Sequence, residues 1–195
     1  GKGEANEVPI VKKNSYPYNY ITRTQAKVLA ESINSGNYTS SLLFGIQWDL
    51  VMKFIETKEN DSDIYLKLSS DSSTIGNYYN SKLSLNNGKF AQSILLSNWY
   101  DFNSNEKIDL VNNKQKQSQD SYMNAILLTT GATEATKLQN IYDIAGNVWE
   151  WTLEAMTEGQ APCARRSGSC NGNGAEYMAF CDGLLSDKNA FDASW

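Results

Sequence analysis

Histidine is absent from this chain of 195 residues, and cysteine and proline each occur three times. A structural zinc site needs four Cys or His ligands at a recognisable spacing, and without histidine or a CxxC pair this sequence does not supply them. Cys163, Cys170 and Cys181 all fall in the last third. An odd number of thiols cannot pair completely within one chain, so cysteine usage leaves the redox compartment open. Basic residues are also in the minority, 17 against 22 acidic ones for a net charge of -5. With no basic surface there is no source for the counterion release that drives nucleic-acid binding, and no nucleic-acid partner is expected. No apolar run approaches the roughly 20 residues that span a bilayer. The segment from Gly1 to Ser15 lacks the apolar centre of a signal peptide, and reads as an N-terminal extension or linker.

What the chain does have is Asn, Ser, Thr and Tyr in abundance, a composition suited to an irregular, loop-rich globule. Its length suits one domain, read here as residues 16–195. Val8, Ile10 and Val11 suggest a short first strand, which Pro9 would confine to a sheet edge. Thr22 with Gln25 forms a capping box, and Ala26, Leu29, Ala30 and Ile33 recur at helical spacing up to Asn34-Ser35-Gly36. A second helix is expected from Ser41 to Glu56. There Leu43, Ile46, Leu50 and Phe54 alternate with Trp48, Val51 and Ile55 to make a surface apolar almost all round, which places the helix at the centre of the core. From Glu59 to Gln119 polar residues dominate around small apolar islands at Ile94-Leu95-Leu96 and Trp99-Tyr100, predicting long irregular connections. Asp61-Ser62-Asp63 departs from the spacing of an EF-hand and reads as a turn. Ile126 to Gly131 reads as a buried strand, and Asn171-Gly172-Asn173-Gly174 carries two Asn-Gly turn signals.

The most informative stretch is Asn140 to Trp151, with two indoles, two carboxylates and a Gly146-Asn147 turn in a short space. Trp149 and Trp151 point to one side of an extended segment, and two indoles beside a glycine turn are expected to form the hub of a small core rather than an exposed platform. Glu150 and Glu154 invite comparison with a glycosidase pair, but nothing in the sequence fixes two carboxylates at either separation that hydrolysis requires. The stretch resembles the signature of the formylglycine-generating-enzyme-like, or sulfatase-modifying-factor, family. Ala164-Arg165-Arg166-Ser167-Gly168-Ser169 is similar to that family's Arg-Gly-Gly-Ser strand. Gly45 to Val51 resembles its second helix, and Gly76-Asn77-Tyr78 its Trp-Gly-Asn turn with Ile75 in place of Trp. The resemblance implies an α+β fold of the C-type lectin-like class: two helices, a small antiparallel sheet and long loops. The family's closing Gly-Phe-Arg strand is not found before Trp195.

The resemblance also implies a structural Ca²⁺, held by the side chains of Asp143 and Glu150 and the carbonyls of Gly146 and Val148. A hard cation needs several oxygens, and irregular backbone has carbonyls to offer. The alternative is that the two carboxylates accept backbone N–H groups and hold the turn without an ion. In the family's oxidases, copper is bound by two cysteines after the Arg-Gly-Gly-Ser strand. Their positions correspond to Gly172 and Tyr177, neither of which offers the thiolate that Cu(I) prefers. No copper is therefore expected, and the reading is non-catalytic. The resemblance extends to the variable proteins of diversity-generating retroelements, which display ligand-binding side chains after this strand. That implies a display domain on a cell surface, outside the cell or on a virion, with a protein or surface ligand. Its face would comprise Cys170, Asn171, Asn173, Glu176, Tyr177, Met178, Phe180, Asp182, Leu184, Asp187, Asn189 and Phe191. An oxidase and a purely structural module are the alternatives.

Overall fold

The computed structural model describes residues 7–34, 36–85, 87–92, 99–102, 126–154, 163–180 and 182–185. They form an α+β fold of three helices and three small antiparallel sheets. Helix α1, Arg23–Glu31, starts where the capping box predicts: Gln25 N–H donates to the Thr22 hydroxyl and Thr22 N–H to the Gln25 side chain. Its inner face buries Leu29 and Ala30.

Helix α2, Gly45–Lys58, begins later than expected because Gln47 turns its side-chain oxygen back onto the N–H of Phe44 and fixes the start there. The helix buries Trp48, Met52 and Ile55, while Ile46, Leu50 and Phe54 face solvent together with Leu43 and Phe44 before it. The helix does enter the main core as expected, but with part of its apolar circumference only. One side packs, and the other is an exposed apolar stripe. Trp48 anchors the packed side, its indole N–H donating to Ala179 O at 3.1 Å.

Two further expectations are revised. Val8, Ile10 and Val11 form no strand and are exposed, since Pro9 offers no N–H to a ladder. Among the described residues after Glu59 there is more regular structure than their polarity suggests. Asp61 accepts the N–H of Asp63 in the expected turn, and α3, Ile64–Ser69, follows at once, seating Ile64 and Leu68 in the core. Strands β1, Lys89–Gln92, and β2, Trp99–Asp101, also lie here, whereas Ile94-Leu95-Leu96 falls outside the described residues.

Strand β1 lies between β2 and the expected buried strand β3, Ile126–Leu128, with Phe90 opposite Tyr100 on one side and Leu128 on the other. Lys137–Leu138 (β4) pairs with Ile141–Tyr142 (β5). The third sheet joins Glu150–Trp151 (β6), Cys163–Arg166 (β7) and Asp182–Leu185 (β8), with Trp151 opposite Arg165 and Arg166 opposite Asp182. The main core gathers Trp48, Met52, Ile55, Leu68, Tyr78 and Ile144. At the N-terminal side, Asn14 N–H donates to Thr130 O and Thr130 N–H to Ser15 O, tying Asn14 and Ser15 to the residues after β3. Among the described residues no helix is long and apolar enough to cross a membrane.

Candidate functional site

The signature is built on a seam between two loops. Asn77 N–H donates to Ala145 O at 3.2 Å and Asn147 N–H to Asn77 O at 2.8 Å, so the backbones of residues 76–77 and 145–147 run in contact. A side chain at Gly76 or Gly146 would overlap the opposite backbone. Gly146 and Asn147 both adopt positive φ, +69° and +65°, the region that glycine and asparagine tolerate best. The Asn147 amide then acts as an extra strand neighbour for β3. Its oxygen accepts from Leu128 N–H at 2.9 Å and from the Asn77 amide at 3.0 Å, and its nitrogen donates to Leu128 O at 3.1 Å. The Asn77 amide also reaches Ile126 O. Both asparagines are buried, and the sequence signals their turns but not this mutual bonding.

Trp149 and Trp151 are both 7 % exposed, as the core reading expects. Trp151 packs on Ile21 and Leu29 and donates its indole N–H to Ile21 O at 3.0 Å. Trp149 lies under the Arg165 guanidinium, 4.3 Å from the ring centroid, and meets Tyr177 edge-on at 5.5 Å. Nothing in the sequence signals the arginine contact, which arises because β6 and β7 pair.

Of the residues expected to hold calcium, Asp143, Val148 and Glu150 line one cavity. Gly146 is buried in the seam, its carbonyl accepting the Ser167 hydroxyl at 3.2 Å. Asp143, at φ +58°, accepts Gly131 N–H at 3.1 Å and the Thr136 hydroxyl at 2.8 Å. Burial pushes its carboxyl above the usual range, against the pull of those two hydrogen bonds. These contacts hold the turn, and the groups that make them carry no formal charge. Glu150 and Glu154 take different places. Glu154 binds Arg166 at 2.6 Å and lies against Gly45 at the start of α2, where a negative charge suits the helix dipole.

The late loop divides sharply. Cys170 is 1 % exposed and packs with Ala91 and Leu127, so it stands behind the expected ligand face and not on it. Phe180 packs against the main core, its N–H and O bonded to Leu68 and Arg166. Asn173 spends its side chain on Asn80, Tyr79 and Ala175 N–H. Each of the three makes contacts that stabilise the loop from within, with Cys170 buried and Asn173 and Phe180 partly exposed. The Asn171 side chain is bonded to the Ser169 hydroxyl. Glu176 is exposed, Tyr177 is 39 % exposed and Met178 is partly so. The backbones of Asp182 and Leu184 lie in β8, opposite Arg166 and Ala164. Asp187, Asn189 and Phe191 fall outside the described residues, as does Cys181. Gly172 and Tyr177, where the resemblance would put two thiols, are in contact: a Cβ on Gly172 would crowd the tyrosine ring.

Among the described residues no three His, Cys, Asp or Glu side chains cluster as a metal site. No protein-family model, no curated protein and no solved structure matches the chain, so its function is to be read from its own residues and their geometry.

Proposed function

We propose that the chain is a non-catalytic binding domain of C-type lectin-like fold that presents the crest of its late loop, Glu176 to Met178, to a protein or surface ligand outside the cell. The observation that carries this reading is the contrast between crest and base. Ser72 N–H donates to Gly174 O, Tyr79 N–H to Gly172 O and Cys170 N–H to Asn147 O, so the base is bonded to the framework on both flanks. The side chains from Ala175 to Tyr177 nevertheless remain exposed. A loop with a fixed backbone and exposed side chains loses little conformational entropy on binding, which is what a display surface requires. Trp149 supports the crest from within, meeting Tyr177 edge-on while Arg165 lies over its ring.

A structural calcium belongs to the same reading. Asp143 and Glu150 would hold it by carboxylate and Val148 and Gly146 by carbonyl. The ion would supply positive charge to a desolvated carboxylate, that of Asp143, whose described partners are uncharged. Copper chemistry has no such support, because glycine and tyrosine occupy the positions of the thiol pair.

Sequencing the native locus tests the display reading. A reverse-transcriptase gene beside a near-copy of the segment encoding Arg165 to Trp195, differing at adenines and chiefly in codons of exposed residues, is the expected result. Differences spread evenly over the codons of Arg166, Ser167 and Cys170 as well would contradict it, since those side chains are buried.

A further inference from the structure

Helix α2 carries apolar residues on two opposite sides. At about 100° per residue, Trp48, Met52 and Ile55 share the side turned to the core. Ile46, Leu50 and Phe54 fall diametrically opposite, where they are 68 %, 61 % and 45 % exposed, and Leu43 just before the helix is exposed as well. Four large side chains, each about half exposed, present on the order of 400 Å² of apolar area, as much as the largest patch on an ordinary monomer and a common mark of an interface. The charges beside the stripe bear on what covers it. Asp49 and Lys53 lie four residues apart on one flank. Asp49 is 3.7 Å from Arg166 and Lys53 is 2.8 Å from Glu56, but the Asp49 and Lys53 side chains are 46 % and 67 % exposed, and ion pairs so open to solvent hold little stability. Either charge can therefore face a second partner. When two copies of such a helix pack antiparallel about a two-fold axis, the same flank of each meets the other reversed end to end. Asp49 then stands opposite Lys53 of the partner subunit, twice over, whereas a parallel arrangement would oppose like charges. We propose that the stripe is a self-association surface, α2 packing antiparallel on α2 of a second copy about an axis near Val51. Leu50 meets its own copy there, and Ile46 meets Phe54 of the partner subunit. Trp48, on the packed side, reaches Ala179 beside the crest, so the stripe is turned away from the late loop and a dimer would carry two crests away from its interface. Self-association by this face does not depend on what the late loop binds.

Sedimentation velocity over a concentration series tests this. The apolar area is about half of what each partner buries in a standard interface, so a reversible dimer with Kd on the order of 10–100 µM is expected. Leu50→Lys should weaken it at least tenfold, while melting with the parent at concentrations far below Kd, where both are monomers. Asp49→Lys and Lys53→Asp should each weaken it about tenfold, because each sets like charges together at both contacts. An equimolar mixture of those two variants should dimerise as the parent does, since every lysine at these positions then faces an aspartate. A parent that stays monomeric at about 1 mM, or a dimer that Leu50→Lys leaves intact, would overturn the proposal. So would a mixture no tighter than its components, which would mean that the two-fold pairing is wrong. Unfolding of Leu50→Lys would show instead that the stripe packs within its own chain, and would overturn it too.

Discussion

A methyl group added at Gly146 would overlap the carbonyl of Asn77, and one at Gly76 would overlap that of Ala145. The seam therefore requires both glycines for close approach, and Gly146 also for its positive φ. Gly146→Ala is expected to cost ~3 kcal/mol or more and Gly76→Ala about 1–3 kcal/mol. Gly36 is the control, since an added methyl there would meet open space. Gly36→Ala should stay within about 0.5 kcal/mol in urea denaturation. Asp143 makes a different kind of demand. Its folded carboxyl titrates above its unfolded value because burial disfavours the charge. The folded state thus binds that proton more tightly, and stability from this group is present below the unfolded pKa and lost as pH rises through the folded one. In chelator, the stability of the parent relative to Asp143→Asn should fall as pH rises through that window and then level off. A difference that does not change with pH would show that Asp143 is not desolvated as described.

Helix α2 shows at the level of an element what periodicity can and cannot reveal. Its apolar positions mark a helix, but with apolar residues on both sides nothing in the pattern says which side meets the core. The structure buries Trp48, Met52 and Ile55 and leaves Ile46, Leu50 and Phe54 exposed. Met52→Ala or Ile55→Ala should cost about 2–5 kcal/mol, whereas Leu50→Gln should change stability by about 0.5 kcal/mol or less, measured by urea unfolding. Helix α1 is legible at its start because a capping box is a local signal that needs no tertiary partner, whereas its end at Glu31 comes before the Asn34-Ser35-Gly36 stop that the sequence suggests. Helix α3 is not, since Ile64–Ser69 is too short to display a period. The late loop is legible in place but not in orientation. Irregular backbone has no fixed alternation of inward and outward side chains, so sequence alone does not tell Cys170 and Phe180 from Tyr177. Its Asn-Gly pairs also misdirect. Neither Gly172 nor Gly174 has positive φ; they are small because the Tyr177 ring and the Ser73 backbone lie against them.

For the whole molecule, the signature acts as a hub: Asn147 bonds β3, Trp151 bonds the segment before α1, and Gly146 closes against residues 76–77. A cation at Asp143 and Glu150 would stabilise that hub by its binding free energy, roughly 2.7 kcal/mol at a hundredfold excess over Kd. Melting with calcium should therefore exceed melting with chelator, and Glu150→Gln should remove the difference; equal midpoints for the parent would refute the ion. The division between a rigid framework and a permissive crest is the central claim, and a complete substitution scan read out by folding on a display host tests it most directly. Glu176, Tyr177 and Met178 are expected to accept most residues. Gly76, Asn77, Gly146, Asn147, Trp149 and Trp151 are expected to accept few, with truncation of either indole costing about 3–5 kcal/mol. Folding lost as readily at Glu176, Tyr177 and Met178 as at Trp149 would contradict that division, because the crest would then be part of the core.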